Sequence, residues 1–226
     1  MNNILSLFHG YLSLLMDEKK LDPAMNEGLS RIREGAREAT DLMERINAIS
    51  RPASRTQREI EPADFFRQLA PTLDRMRTAQ IQIIVECPAG LPAMCVDTSR
   101  MKLAMVELVR NACEAATAKV IIRVSAEKGA VQPELFPGGG AAPESEWVKI
   151  EVIDDGAGIG IAGAKRIYEP FYSTKNAAHA TGLGLAVALG CAQQCGGTLQ
   201  HRSKKGRTIF EMSLPARAPQ QLSAVA

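Results

Sequence analysis

The chain has 226 residues, 46% of them hydrophobic and 23% charged, and its 27 Lys and Arg against 25 Asp and Glu leave +2. That length makes one large or two small domains and does not depend on disulfide staples. The charge balance excludes a strongly basic nucleic-acid binder and an acidic solvating chain, and residues 1–58 hide no basic arm, with nine Lys/Arg against eight Asp/Glu.

Residues 1–50 are almost free of breakers. Ile4, Leu5, Phe8, Tyr11, Leu12 and Leu15 recur at steps of three and four, one face of a helix. Residues 17–23 interrupt it, and there Asp22 can cap the next helix while Pro23 suits its first turn. Met25, Leu29, Ile32, Ala36, Ala39, Leu42, Met43, Ile46 and Ile49 then mark a second helix. Two helices joined by a short loop predict an antiparallel hairpin over 1–50. Each apolar stripe is wider than one partner helix covers, so a homodimer closing into a four-helix bundle is expected.

Residues 51–58 are polar and aperiodic, a linker. From 59 to 214 the pattern is mixed α/β. Helices are expected over Glu61–Gln80, Ser99–Ala116 and Leu183–Gln194. Strands are expected over Ile81–Glu86, Met94–Val96, Val120–Val124, Trp147–Ile153, Thr198–Arg202 and Thr208–Leu214. The Pro- and Gly-rich stretch 128–146 reads as a flexible hairpin insertion, and 215–226 as a frayed tail. With aromatics at only 4%, the core must be built from Leu, Ile, Val, Ala and Met.

The longest apolar run, Gly182–Ala192, is far short of the roughly 18 residues of a membrane span and contains three glycines. The N-terminus lacks the basic region of a signal peptide. Five cysteines in an odd count without paired spacing read as reduced thiols of a cytoplasmic protein. Cys191 and Cys195, four apart on a helix, read as small core residues.

Four segments can carry chemistry. In Asp154-Asp155-Gly156-Ala157-Gly158-Ile159 a strand ends in an acid that can accept a hydrogen bond from an exocyclic amine such as adenine's. The glycines after it let backbone approach a flat ring or a phosphate; an ordinary tight turn is the bland alternative. Thr181-Gly182-Leu183-Gly184-Leu185 opens a helix, where free N–H groups and the positive helix end suit phosphate. Glu107, Asn111 and Glu114 share one helical face, and Asn111 can offer an oxygen to Mg²⁺. Tyr168-Glu-Pro-Phe171-Tyr-Ser-Thr-Lys175 sets aromatics around a proline, with a lysine that can serve as a point charge for phosphate.

Together and in this order, these segments resemble the ATP-binding domain of sensor histidine kinases, a superfamily shared with gyrase and the mismatch-repair ATPases. Asn111 matches the Asn box, Asp154-x-Gly156-x-Gly158 the first glycine box, Tyr168-Glu-Pro-Phe-Tyr the phenylalanine box and Gly182-Leu-Gly184-Leu the second glycine box. The resemblance covers about 59 to 214. It implies an α+β chain, with the helical hairpin followed by an α/β sandwich whose sheet carries helices on one face. ATP would lie under a lid at about 162–181. It also implies that Asp154 reads adenine, Asn111 holds Mg²⁺, and Gly182 and Gly184 cradle phosphates with Lys175 near the terminal ones. Ile159, Tyr168, Phe171, Thr181, Leu183, Leu185 and Thr208 complete the nucleotide site. Glu107 sits where gyrase-like ATPases keep a water-activating Glu and many kinases an Asn. Ala180 stands where the second glycine box usually begins with Gly.

Met1-Asn2-Asn3-Ile4-Leu5 resembles the middle of the family's His box. In that register the phosphoacceptor His falls two residues before Met1, and Asn3 takes a position that can orient a hydrolytic water. His9 lies ten residues beyond the acceptor position, roughly 80° around the helix. His179 and His201 read as structural. The resemblance therefore implies a dimeric histidine kinase core that uses ATP and Mg²⁺ and passes phosphoryl to an Asp on a response regulator receiver domain. An ATP-binding pseudo-kinase or phosphotransfer scaffold, and a gyrase-like ATPase using Glu107 as base, are the other readings.

Overall fold

The computed structural model describes residues 2–16, 22–50, 57–128, 146–174, 181–204 and 206–217. The expected loop at 17–21, most of the linker, the core of the 128–146 insertion, Lys175, His179, Ala180 and the tail from 218 lie outside these residues. So do the side chains of Asn3 and His9, both on the first helix.

The chain divides into two compact units, Met1–Asn47 and Ala48–Ala226. The first holds α1 (Asn2–Met16) and most of α2 (Pro23–Ser50). Asp22 caps α2 as its position suggested, Oδ1 accepting from Met25 N at 2.8 Å. Leu12 and Ala36 are buried, whereas Leu7, Phe8, Tyr11, Leu14, Leu15, Met25, Ile32 and Leu42 are exposed.

The second unit is a mixed sheet in the order β1-β3-β7-β5-β4-β2, with β6 on β7. Its strands are β1 (Arg58–Ile60), β2 (Gln82–Glu86), β3 (Ala93–Val96), β4 (Lys119–Lys128), β5 (Glu146–Asp154), β6 (Thr198–Lys204) and β7 (Arg207–Arg217). Its helices are α3 (Pro62–Met76), α4 (Thr98–Ala115), the single turn α5 (Ile161–Ala164) and α6 (Gly184–Gln194). β2 and β4 run parallel, and the other pairs are antiparallel.

Alternation along the strands separates two faces. Val120, Ile122 and Val124 of β4, Val148, Ile150 and Val152 of β5, and Phe210, Met212 and Leu214 of β7 are buried. They pack with Phe65, Leu69 and Leu73 of α3, Met101, Met105 and Leu108 of α4, and Ala188 and Ala192 of α6 in one core. The opposite face carries ion pairs: Arg123 with Glu86, Lys149 with Glu127, and Arg202 with both Glu151 and Glu211. This is the expected α/β sandwich, with helices on one face only.

β4 and β6 run on to Lys128 and Lys204, past their expected ends, and three other boundaries differ from expectation for reasons visible in the fold. α3 stops at Met76, not Gln80, because Thr78 Oγ1 accepts from Gln80 N and Ile81 N and offers the backbone a competing turn. Arg58, expected to end the linker, instead opens β1, which pairs with β3 from Arg58↔Val96 to Ile60↔Met94. Three residues are too few to show a period. β7 runs past Leu214 to Arg217, so the residues from Pro215 to Arg217 are strand and not tail. Pro215 falls between the β6 ladder, which ends at Ser213, and the β3 ladder, which starts at Ala216. A residue without an N–H is tolerated at such a gap.

α4 begins at a well-made cap, with Asp97 Oδ1 accepting from Ser99 N at 3.1 Å and Arg100 N at 3.2 Å. Asp97→Ala should therefore cost about 1 kcal/mol of stability, read as a lower urea midpoint with an unchanged slope. An unshifted midpoint would show that the cap contributes nothing net.

Candidate functional site

The site is built on α4. Its buried stripe is Met101, Ala104, Met105, Leu108, Val109 and Ala112, and Glu107 is buried among them. Asn111, one turn on, is half-buried, and Glu114 is exposed. The three residues expected on one face thus run from the core to the surface. Arg110 joins the two acids, pairing with Glu107 through Nη2 and lying 3.9 Å from Glu114 Oε1 through Nε.

The second glycine box packs onto this face. A Cβ on Gly184 would lie 2.7 Å from Glu107 Oε2 and 3.3 Å from Asn111 Nδ2. A side chain at 184 would oblige the Glu107 carboxylate to shift. Gly182 has φ +65, and a Cβ there would lie 2.4 Å from the carbonyl carbon of Phe171. Phe171 itself has φ 67, and its N–H donates to Gly182 O at 2.9 Å. The phenylalanine box is thereby tied to the glycine box through backbone, while the Phe171 ring stays 70% exposed. Of the flanking residues, Leu183 is buried, Leu185 half-buried and Thr181 exposed.

The first glycine box sits at the C-terminal end of α4. Asp154 ends β5 and pairs in register with Thr208 of β7, and both are buried. Asp154 Oδ1 accepts from Gly156 N at 2.9 Å. Burial pushes the Asp154 carboxyl above its ordinary value, opposed by hydrogen bonds from Gly156 and from the hydroxyl and N–H of Thr208. A Cβ on Gly156 would lie 2.4 Å from Ala115 O, so the box is pressed against the end of α4. Asp155 accepts from Thr117 N at 2.8 Å and from Ala118 and Lys119 N. Slight burial acts against its charge, but these donors hold its carboxyl below the usual range.

Beyond Gly158, Ile159 N donates to Ser203 Oγ at 2.6 Å. Tyr168 Oη lies 3.2 Å from His201 Nδ1, and the His201 ring is 6.2 Å from that of Phe210. Burial raises the Tyr168 pKa and lowers that of His201, which favours neutral rings for both. His201 is thus a structural partner of Tyr168, as its position in the closing hairpin suggested. Ser203 was missed by sequence reasoning, since only the β6–β7 ladder, pairing Ser203 with Thr208, brings it to the glycine box. Arg110 was missed too, although its spacing of three and four from two acids was visible.

Residues 96–218, more than half of the chain, match the family described as histidine kinase-, DNA gyrase B- and HSP90-like ATPase. The chain belongs to this family. Its relatives include the sensor kinase CckA of Brucella abortus (strain 2308), 27% identical over 205 residues, 89% of this chain and 21% of that protein. The sensory histidine kinase/phosphatase NtrB of Rhodobacter capsulatus is 33% identical over 144 residues, 64% of this chain and 39% of its own length. The chain spans well under half the length of these relatives. The fold matches that of full-length ShkA in complex with AMPPNP, with TM-score 0.72 at 21% identity over 96% of this chain and 45% of that one. It also matches the Acinetobacter baumannii histidine kinase AdeS, with TM-score 0.58 at 18% identity over 95% of each chain. At these identities the likeness is one of fold. The α+β architecture and the ATP-binding domain of histidine kinase type are thereby borne out.

The raised carboxyl of Asp154 has a consequence for stability. An acid whose pKa is raised by folding contributes stability that is present below its unfolded value and lost as pH rises through the folded one. Asp154→Asn removes that titration. Thermal melts from about pH 3 to about pH 7 should show the wild type losing stability relative to the variant above its ordinary value of 3.8. Parallel curves would show that Asp154 does not carry the effect.

Proposed function

We propose that this chain is the kinase core of a two-component sensor, binding ATP with Mg²⁺ and directing phosphoryl transfer to a His and then to an Asp on a response regulator receiver domain. The carrying observation is the close seat of Gly184 on α4, where a Cβ would lie 2.7 Å from Glu107 Oε2 and 3.3 Å from Asn111 Nδ2, so that the second glycine box starts α6 beside the Asn box. The residues present fit the nucleotide. Asp154 is a buried acceptor suited to adenine's amine, with Gly156, Gly158, Ile159 and Thr208 forming that end. Gly182, Leu183, Gly184 and Leu185 offer backbone N–H groups at the start of α6, where phosphate is favoured. Asn111 supplies a side-chain oxygen for Mg²⁺ beside them, and the metal would supply charge neutralisation for the phosphates. Tyr168, Phe171, Thr181 and Lys175 belong to the lid side of the site. The relatives named above, a sensor kinase and a sensory histidine kinase/phosphatase, support the kinase over an ATPase that uses Glu107 as base.

In the His-box register the acceptor position lies ahead of Met1 and Asn3 follows it. The test is incubation with radiolabelled ATP of two proteins, the chain as it stands and a version extended by His then Glu before Met1. The extended form should carry acid-labile, base-stable label, and calorimetry should find that Asp154→Asn weakens ATP·Mg²⁺ binding in both. Label on the shorter form, lost on His9→Ala, would show the register to be wrong. Label on neither form, with ATP still bound, would favour a pseudo-kinase scaffold, or an ATPase if phosphate release falls in Glu107→Ala.

The first unit is proposed as the dimerisation and docking hairpin, closing with a second copy into a four-helix bundle. Support comes from the exposed row Leu7, Phe8, Tyr11, Leu14 and Leu15 on α1. A cytoplasmic location accords with the described residues, among which no helix is long and apolar enough to cross a membrane. Tyr11→Glu with Leu15→Glu should convert dimer to monomer in light scattering at tens of micromolar while ATP binding persists. A wild-type monomer at that concentration would overturn the bundle.

A further inference from the structure

Asp154, Thr208 and Ser203 form a row across three strands. Thr208 of β7 lies opposite Asp154 of β5 on one side and opposite Ser203 of β6 on the other. Residues directly opposite in neighbouring strands project from the same face of a sheet, so an acid and two hydroxyls stand side by side. Asp154 and Thr208 are buried, and Ser203 is half-buried.

The first glycine box runs from one end of this row to the other. It leaves β5 at Asp154, whose Oδ1 accepts from Gly156 N at 2.9 Å. It passes through Gly158, whose φ of 89 suits a residue without a Cβ, and reaches Ile159, whose N–H donates to Ser203 Oγ at 2.6 Å. The loop is thus held at its start by the first member of the row and at its end by the third. β6 makes a second hold of the same kind. His201 stands two residues before Ser203, on the same side of the strand, and its Nδ1 lies 3.2 Å from Tyr168 Oη. Ile159 and Tyr168 are both residues of the proposed nucleotide site, and neither is fixed in place by a local pattern.

We infer that Ser203 is a positioning residue for the nucleotide base: its hydroxyl oxygen holds the end of the first glycine box beside the Asp154–Thr208 pair, and so sets the preference for adenine. The role rests on the ATP-site reading above and adds to it a residue that touches the loop and not the ligand. Without the hydroxyl, the start of the loop stays fixed, because Gly156 keeps its bond to Asp154 and Asp155 keeps its bonds to Thr117, Ala118 and Lys119. The Ile159 side chain still packs on the core. What is lost is the hydrogen bond that fixes the Ile159 backbone, so the effect is a loosened base pocket in a folded domain.

Calorimetry on the full chain with Mg²⁺·ATP and with Mg²⁺·GTP tests this, since guanine carries an oxygen where adenine carries the amine that Asp154 would meet. The wild type should prefer ATP. Ser203→Ala should weaken Mg²⁺·ATP by about three- to tenfold, the worth of one hydrogen bond, and Mg²⁺·GTP by no more than about twofold. The preference for adenine then narrows. Ser203→Thr, which keeps the hydroxyl, should hold the wild-type preference. A merely structural role would weaken both nucleotides by the same factor, because unfolding competes equally with both complexes, and that result would overturn the inference. Unchanged ATP affinity in Ser203→Ala would overturn it as well. If Ser203→Ala does not fold, Ser203→Thr and Ser203→Val take its place, two side chains of one shape that differ in the hydroxyl. A narrower preference in the valine variant than in the threonine variant supports the role, and equal preference in the two refutes it. Failure of the ATP-site reading would look different, since the wild type itself would then bind neither nucleotide or both alike.

Discussion

Gly184 meets α4 so closely that a Cβ there would lie 2.7 Å from Glu107 Oε2 and 3.3 Å from Asn111 Nδ2. That contact fixes how α6 starts, and the start of α6 fixes the rest. Leu183, buried just before it, anchors the turn in the core. Gly182 can then lie against Phe171 only by adopting a positive φ. At the C-terminal end of α4, Ala115 O presses on Gly156 of the first glycine box. α4 is thus the spine of the site. It carries Glu107, Arg110 and Asn111, on which Gly184 packs, and meets Gly156 at its C-terminal end.

Two buried carboxylates meet the cost of desolvation in different ways. Asp154 is met by neutral donors, the N–H of Gly156 and the hydroxyl and N–H of Thr208. These leave it a hydrogen-bond acceptor with its pKa still raised. Glu107 is met by the Arg110 guanidinium, a full charge. A paired acid takes part in the electrostatics of the site without adding a net charge to it. The sheet keeps the two acids apart: Asp154 is set by the β5–β7 register, whereas Glu107 is set by helical spacing alone.

What could be read in the sequence follows from the range of the forces involved. The long elements α1, α2, α4, α6, β4, β5 and β7 were legible because each shows its period over many residues. β1 was not, since its three residues gain their form from β3 and not from their own pattern. The end of α3 turned on one hydroxyl, that of Thr78, and the end of β7 on ladders to β3, more than a hundred residues earlier in the chain. For the site, the motif residues were legible as types, and the structure brings Glu107, Asn111 and Gly184 together, and Asp154, Gly156 and Thr208. The contacts from Ser203 to Ile159 and from His201 to Tyr168 cross 44 and 33 residues, and no local spacing announces them.

The two units deal with apolar surface in opposite ways. The second covers its sheet with α3, α4 and α6 and leaves few large apolar side chains in water, Ile84, Val85 and Phe171 among them. Its opposite sheet face is closed by ion pairs, which keep it in solvent. The first unit buries Leu12 and Ala36 but leaves a row from Leu7 to Leu15 exposed on α1. Apolar area in water costs about 25 cal/mol per Å², so such a row calls for a covering surface. Since the second unit completes its own core, its folding does not wait on that covering.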